Sequence, residues 1–198
     1  MIESLILAAM IELYHPKHQQ LSYMRETLEE AEQRYKEVAA DIVEVAFDEN
    51  EPPLFDGPAG REATALLLTA VAWHESGFRK DVETCQGPLA KGDEGRSIGL
   101  FQIMRGANRQ GYSAKQICSD RKLQVRLGLH VLRQAKERCG GSPLTWLQAY
   151  GAGRCNLSHS SARNKCAAFE RIGSKHFTGL SCKSTGPVHY AKPQSTKT

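Results

Sequence analysis

Apolar residues at Ile2, Leu5, Ile6, Ala9, Met10 and Leu13 recur three and four apart, the spacing of one helical face, and His15-Pro16 ends that helix by denying its continuation. A second run, Leu21, Met24, Leu28, Ala31, Tyr35, Val38, Ile42 and Val45, keeps the same alternation and predicts a second helix with a narrow apolar stripe. Such a stripe suits either of two partners: the chain's own body, or a second copy through a coiled coil over residues 21–45. "NEPPLFDGPAGRE" then breaks the helical pattern with Pro52-Pro53 and Gly57-Pro58, and Pro58 fits the first turn of the next helix. From Ala63 to Trp73 nearly every position is apolar, the mark of a helix buried on all sides.

"CQGPLAKGDEGRSIGLFQIM" is rich in Gly and turn residues and then alternates weakly, which predicts a small β-hairpin region. Helical signals resume after it. Ser113 with Gln116 has the spacing of a capping box, and Ser119 or Asp120 can cap a long helix to Arg138. Ser142-Pro143 is an N-cap and first-turn pair before "LTWLQAY", and a last amphipathic helix covers Ser160 to His176. The reading is mostly α with one small β element, an N-terminal helical arm over residues 1–50, a catalytic-sized domain over 51–182 and a polar, mobile tail over 183–198.

Charge adds an asymmetry that the net value of +4 conceals. Residues 1–100 carry 9 Lys and Arg against 19 Asp and Glu; residues 101–198 carry 17 against 3. Either the two halves neutralise each other on packing, or a basic face meets a polyanion such as an anionic wall polymer. Nucleic acid is disfavoured, because the basic charge comes without an aromatic platform or a recognised module. The apolar run Leu5–Ile11 is too short to span a bilayer, and Glu3 with no preceding Lys or Arg makes it a poor signal peptide, so export by another route is expected. All six cysteines lie from Cys85 onward, an even number that favours disulfides and an oxidising destination over free thiols. A Cys118–Cys139 pair is excluded if the long helix forms, since its ends stand about 30 Å apart.

The chemistry centres on "AWHESGF". Glu75 stands at the C-terminal end of the most apolar helix, where the negative end of the macrodipole and apolar neighbours both favour a protonated carboxyl. Such an acid can protonate a poor leaving-group oxygen, as glycosidic cleavage requires. Trp73, Phe78, Phe101 and Tyr150 are candidates for its apolar surroundings. His74-Glu75 does not continue into a zinc motif, because Phe78 occupies the position of the second histidine. No cofactor or metal is implied.

Three short segments in order, Glu75-Ser76, Gly99-Leu100-Phe101-Gln102 and Ala149-Tyr150, resemble those of the lysozyme-like lytic transglycosylases of the soluble-lytic type, over about residues 58 to 180. The resemblance implies a lysozyme-like fold acting on peptidoglycan glycan strands in the periplasm or the extracellular wall. It implies Glu75 as the single acid/base, Ser76 fixing the helix end, and Tyr150 against the Glu75 carboxyl. Ser97, Gly99, Leu100, Phe101, Gln102 and Gly151 would line the saccharide groove. Three features depart from the family's pattern: a longer interval between Glu75 and Gly99, Ala-Tyr-Gly where Ala-Tyr-Asn is commoner, and the helical arm. The longer interval contains Asp93 and Glu94, which are either a solvated turn or the second carboxylate of a hydrolytic muramidase resembling goose-type lysozymes. A wall-binding protein without catalysis is the third reading, and the presence of Glu75 argues against it.

Overall fold

The computed structural model describes residues 2–14, 23–88, 90, 92–156 and 159–191. Helices α1 (Ile2–Leu13) and α2 (Leu28–Phe47) precede the buried helix α3 (Gly60–Ser76) and the short α4 (Lys80–Glu83). A hairpin of β1 (Ser97–Ile98) and β2 (Ile103–Met104) comes next, then α5 (Ala114–Ser119), α6 (Arg121–Cys139), α7 (Pro143–Ala152) and α8 (Ser160–Gly173). A second strand pair, β3 (Phe177–Thr178) with β4 (His189–Tyr190), closes the described chain. Mostly helical architecture around a small hairpin is therefore what the chain adopts.

Helix α3 is the central post. Every residue from Ala63 to Ala72 is buried, so it has no polar face, and α1, α2, α6 and α8 pack around it. Its two buried threonines satisfy their hydroxyls on the carbonyl four residues back, Thr64 on Gly60 and Thr69 on Ala65. Full burial of Leu66, Leu67 and Leu68 stabilises this arrangement by roughly 1.5–3 kcal/mol each.

The second helix begins later than its apolar stripe suggests. Thr27 caps α2 in a reciprocal capping box with Glu30, so Met24 precedes the helix; Leu21, like His15 and Pro16, lies outside the described residues. Of the stripe, Ala31, Tyr35, Val38, Ile42 and Val45 are buried within the chain, while Leu28 is 46% exposed. Acidic α2 also meets basic α6: Arg121 pairs with Glu37, Asp41 and, from α4, Glu83, and Lys122 pairs with Glu44. Arg126 and Arg133 extend the seam to Asp48 and Glu51. Mutual neutralisation accounts for part of the charge asymmetry.

The C-terminal segment contributes a strand and a backbone contact ahead of α3. β4 pairs with β3, Val188 is buried, and its backbone exchanges hydrogen bonds with Asp56 and Ala59 ahead of α3. Gly57 permits this approach: a Cβ there would sit 2.7 Å from the Val188 carbonyl oxygen. Tyr190 donates its phenol proton to Glu62 on α3. Residues 192–198 lie outside the described residues.

All six cysteines are paired, as Cys85–Cys118, Cys139–Cys155 and Cys166–Cys182, with Cα separations of 5.6, 5.5 and 5.8 Å. Among the described residues no helix is long and apolar enough to cross a membrane.

Candidate active site

The tip of α3 is held from both sides. Gly77 takes the left-handed conformation and returns its N–H to the Trp73 carbonyl, which ends the helix at Ser76. Ser76 donates its hydroxyl to the Ala72 carbonyl and accepts the Phe78 N–H, while Arg34 from α2 donates to the Phe78 carbonyl. Phe78 is buried edge-on against Tyr35. Glu75 thus projects from a clamped helix end, its side chain 19% exposed.

Facing it, the hairpin is fixed by one buried amide. Gln124 on α6 accepts the Leu100 N–H at 2.7 Å and donates to the carbonyls of Glu83 and Ile117, so it ties the hairpin turn to α4 and α5. Gly99 lies at φ +75°, and a Cβ there would come within 2.5 Å of the Gln124 oxygen. Phe101 turns inward over Gly128, where an added Cβ would meet its ring at 2.4 Å. Gln102 braces the turn, its amide accepting the Gly92 N–H and donating to the Gly99 carbonyl.

A cavity of about 500 Å³ opens between these parts, within the range of small-ligand sites. Glu75, Asp93, Ser97, Gln102, Tyr150 and Gly151 line it. Ser76, Gly99, Leu100 and Phe101 do not; they shape it from behind. Glu94 is exposed away from it, while Asp93 reaches it and accepts the Ser97 hydroxyl proton at 2.9 Å. Asn108, Gln134, Arg138 and Ser161 also line the wall, and no motif in the sequence marks them.

Tyr150 shares the cavity with Glu75; its hydroxyl donates to the Phe101 carbonyl, linking α7 to the hairpin, and burial together with the Glu75 charge pushes its phenol above the usual range. Of the four aromatic candidates for the carboxyl's surroundings, Tyr150 lines the cavity, Phe78 and Phe101 pack into the core, and Trp73 lines a separate groove. The carboxyl's immediate neighbour is a cation. Lys165 on α8, completely buried, places Nζ 2.6 Å from Glu75 Oε1 and 2.6 Å from Ser161 Oγ. The sequence did carry a signal for it: Ala162, Lys165, Cys166, Phe169 and Ile172 form the buried face of α8, so a lysine falls on an apolar stripe.

Residues 59–172 match the family model of the transglycosylase SLT domain. The chain belongs to that family. Its members are enzymes that cleave glycosidic bonds of cell-wall peptidoglycan, and the matched region runs from the start of α3 through α8. Comparisons with curated proteins and with solved structures gave no significant match. In this SLT domain the residues between Glu75 and Gly99 build α4, the Cys85 cross-link and the turn that carries Asp93.

The Lys165 charge has a second effect. His74, next to Glu75 in sequence, has its imidazole pushed down to about 4 by burial first and then by the charges of Lys165 and His159. The unfolded chain takes up this proton below 6.5, whereas the folded domain accepts it only near 4. Stability is therefore fully present above pH 6.5 and declines as pH falls towards 4. In His74→Gln that decline is expected to be shallower by one proton in urea unfolding measured from pH 7 to 4; an unchanged slope would assign the acid sensitivity elsewhere.

Proposed function

We propose that the domain is a lytic transglycosylase that cleaves the β-1,4 bond between N-acetylmuramic acid and N-acetylglucosamine, with Glu75 as sole acid and base. Glu75 protonates the glycosidic oxygen as the bond to muramic C1 breaks. The C6 hydroxyl of the same sugar then attacks C1 and returns its proton to Glu75, giving a 1,6-anhydro end. Attack from within the substrate has a high effective molarity, so no second carboxylate has to activate water. The observation that carries this reading is a clamped glutamate at the helix tip, opening onto a cavity walled by Ser97, Gln102 and Tyr150.

Asp93 supports a second reading. It shares the cavity with Glu75, and two carboxyl groups flanking a bond are the equipment of a hydrolytic muramidase. Its hydrogen bond to Ser97 suits the first reading better, since it braces the β1 end of the hairpin. Mass analysis of digested peptidoglycan separates the two. Products lighter by one water than hydrolytic ones are expected, and Asp93→Asn is expected to keep at least about a tenth of the wild-type rate. Reducing ends from the wild type, together with a loss in Asp93→Asn of the 10²–10⁴-fold size typical of a removed general base, would establish the hydrolase instead.

A further inference from the structure

The buried Lys165 belongs to neither motif logic nor core packing. An ammonium with no exposure is costly unless its donors are used, and here they are: Glu75 Oε1 and Ser161 Oγ each lie at 2.6 Å, and the Tyr150 ring centroid lies 5.6 Å from Nζ. Ser161 stands one turn before Lys165 on α8, so the two groups rise side by side from one helix. Gly151 lines the cavity over them; a Cβ there would be 3.8 Å from both Lys165 Nζ and Ser161 Oγ. Lys165 does not itself line the cavity.

We propose that Lys165, held by Ser161, is the positioning residue of the Glu75 carboxyl, engaging Oε1 so that Oε2 is the oxygen that meets substrate. This rests on the reading of Glu75 as acid and base. A glutamate at a helix tip has several rotamers, and an error of about 1 Å in a reacting group costs as much as 10²-fold in rate. Lys165 selects one rotamer from the side opposite the sugar. Through the cycle Oε2 gives its proton to the glycosidic oxygen, the C1–O bond breaks, the C6 oxygen bonds to C1, and its proton returns to Oε2. Lys165 keeps its protons throughout. Between the two transfers its charge balances the carboxylate, which the cavity would otherwise hold unpaired. Tyr150 fixes the hairpin through Phe101 and offers its ring face to the ammonium.

The test is steady-state kinetics of the full chain on soluble, uncrosslinked peptidoglycan strands, for Lys165→Met, Lys165→Arg and Ser161→Ala beside Glu75→Gln. Lys165→Met is expected to lower kcat about 10²-fold while KM stays within about twofold, because the groove that binds glycan is untouched. Lys165→Arg is expected to recover about tenfold of that loss, and Ser161→Ala, whose side chain also lines the cavity, to lower kcat by about fivefold with a smaller change in KM. A Lys165→Met enzyme with wild-type kcat, or one whose loss lies wholly in KM, overturns the proposal. If Lys165→Met does not fold, Ser161→Ala decides: wild-type kcat overturns the proposal, and a selective kcat loss upholds it. Glu75→Gln keeps the two ideas apart. An active Glu75→Gln ends the acid/base reading; an inactive one beside a fully active Lys165→Met ends only this inference.

Discussion

Glu75→Gln is expected to cut the release of soluble muropeptides from purified peptidoglycan by about 10³-fold, inside the 10²–10⁴-fold range of a positioned acid or base. The amide preserves the size of the side chain and can neither deliver a proton nor take one back. Its carbonyl oxygen still accepts from Lys165, so the fold survives the change. The stability loss is expected to be about 1–2 kcal/mol, below the roughly 3–5 kcal/mol of severing a fully buried pair. Binding to sacculi by the variant, measured by co-sedimentation, is expected to match the wild type, because Ser97, Gln102 and Gly151 keep their places on the cavity wall. Undiminished release by a folded Glu75→Gln protein would remove Glu75 from the mechanism.

The parts of this site that were legible in the sequence are those fixed by local rules. Apolar residues at nearly every position from Ala63 to Trp73 announced a buried helix, Gly77 announced its end, and the pair fixes where Glu75 stands. Ser113 with Gln116 caps α5 as expected, and of the two candidates Ser119 and Asp120 it is Asp120 that caps α6. The hairpin itself was expected; its register, Ser97 opposite Met104 and Ile98 opposite Ile103, was not. What escaped depends on contacts across the chain. Tyr150 bonds to a carbonyl 49 residues away, and no local pattern says whether a phenol faces a carboxyl or a backbone oxygen. Lys165 falls on the apolar face of α8, and only the packing of α8 on α3 shows that its counter-ion is Glu75. Asp93 and Glu94 are neighbours of like charge, and the left-handed backbone at both residues sends only the first into the cavity.

Reduction of the cross-links is expected to cost more stability than Glu75→Gln or any other single substitution at the site. The pairs span 33, 16 and 16 residues. Loops of that size confine the unfolded chain by about 3–4 kcal/mol each. Their combined effect, on the order of 10 kcal/mol, is comparable with the whole stability of an ordinary domain. At about 2–4 °C per kcal/mol for a chain of this size, the reduced and alkylated protein is expected to melt at least about 20 °C lower, or to be unfolded at assay temperature. Activity should fail with it, because each bridge stands behind a cavity wall. Cys85–Cys118 joins the segment after α4 to α5, both of which Gln124 uses to hold the hairpin. Cys139–Cys155 ties the end of α6 to the segment just after α7, the helix of Tyr150, and Cys166 lies next to Lys165 on α8. Calorimetry of the oxidised and alkylated forms, with thiols counted in each, measures the effect. A melting temperature within a few degrees of the oxidised value would mean that the helical core alone carries the fold, and the wall-degrading activity would then need no oxidising compartment.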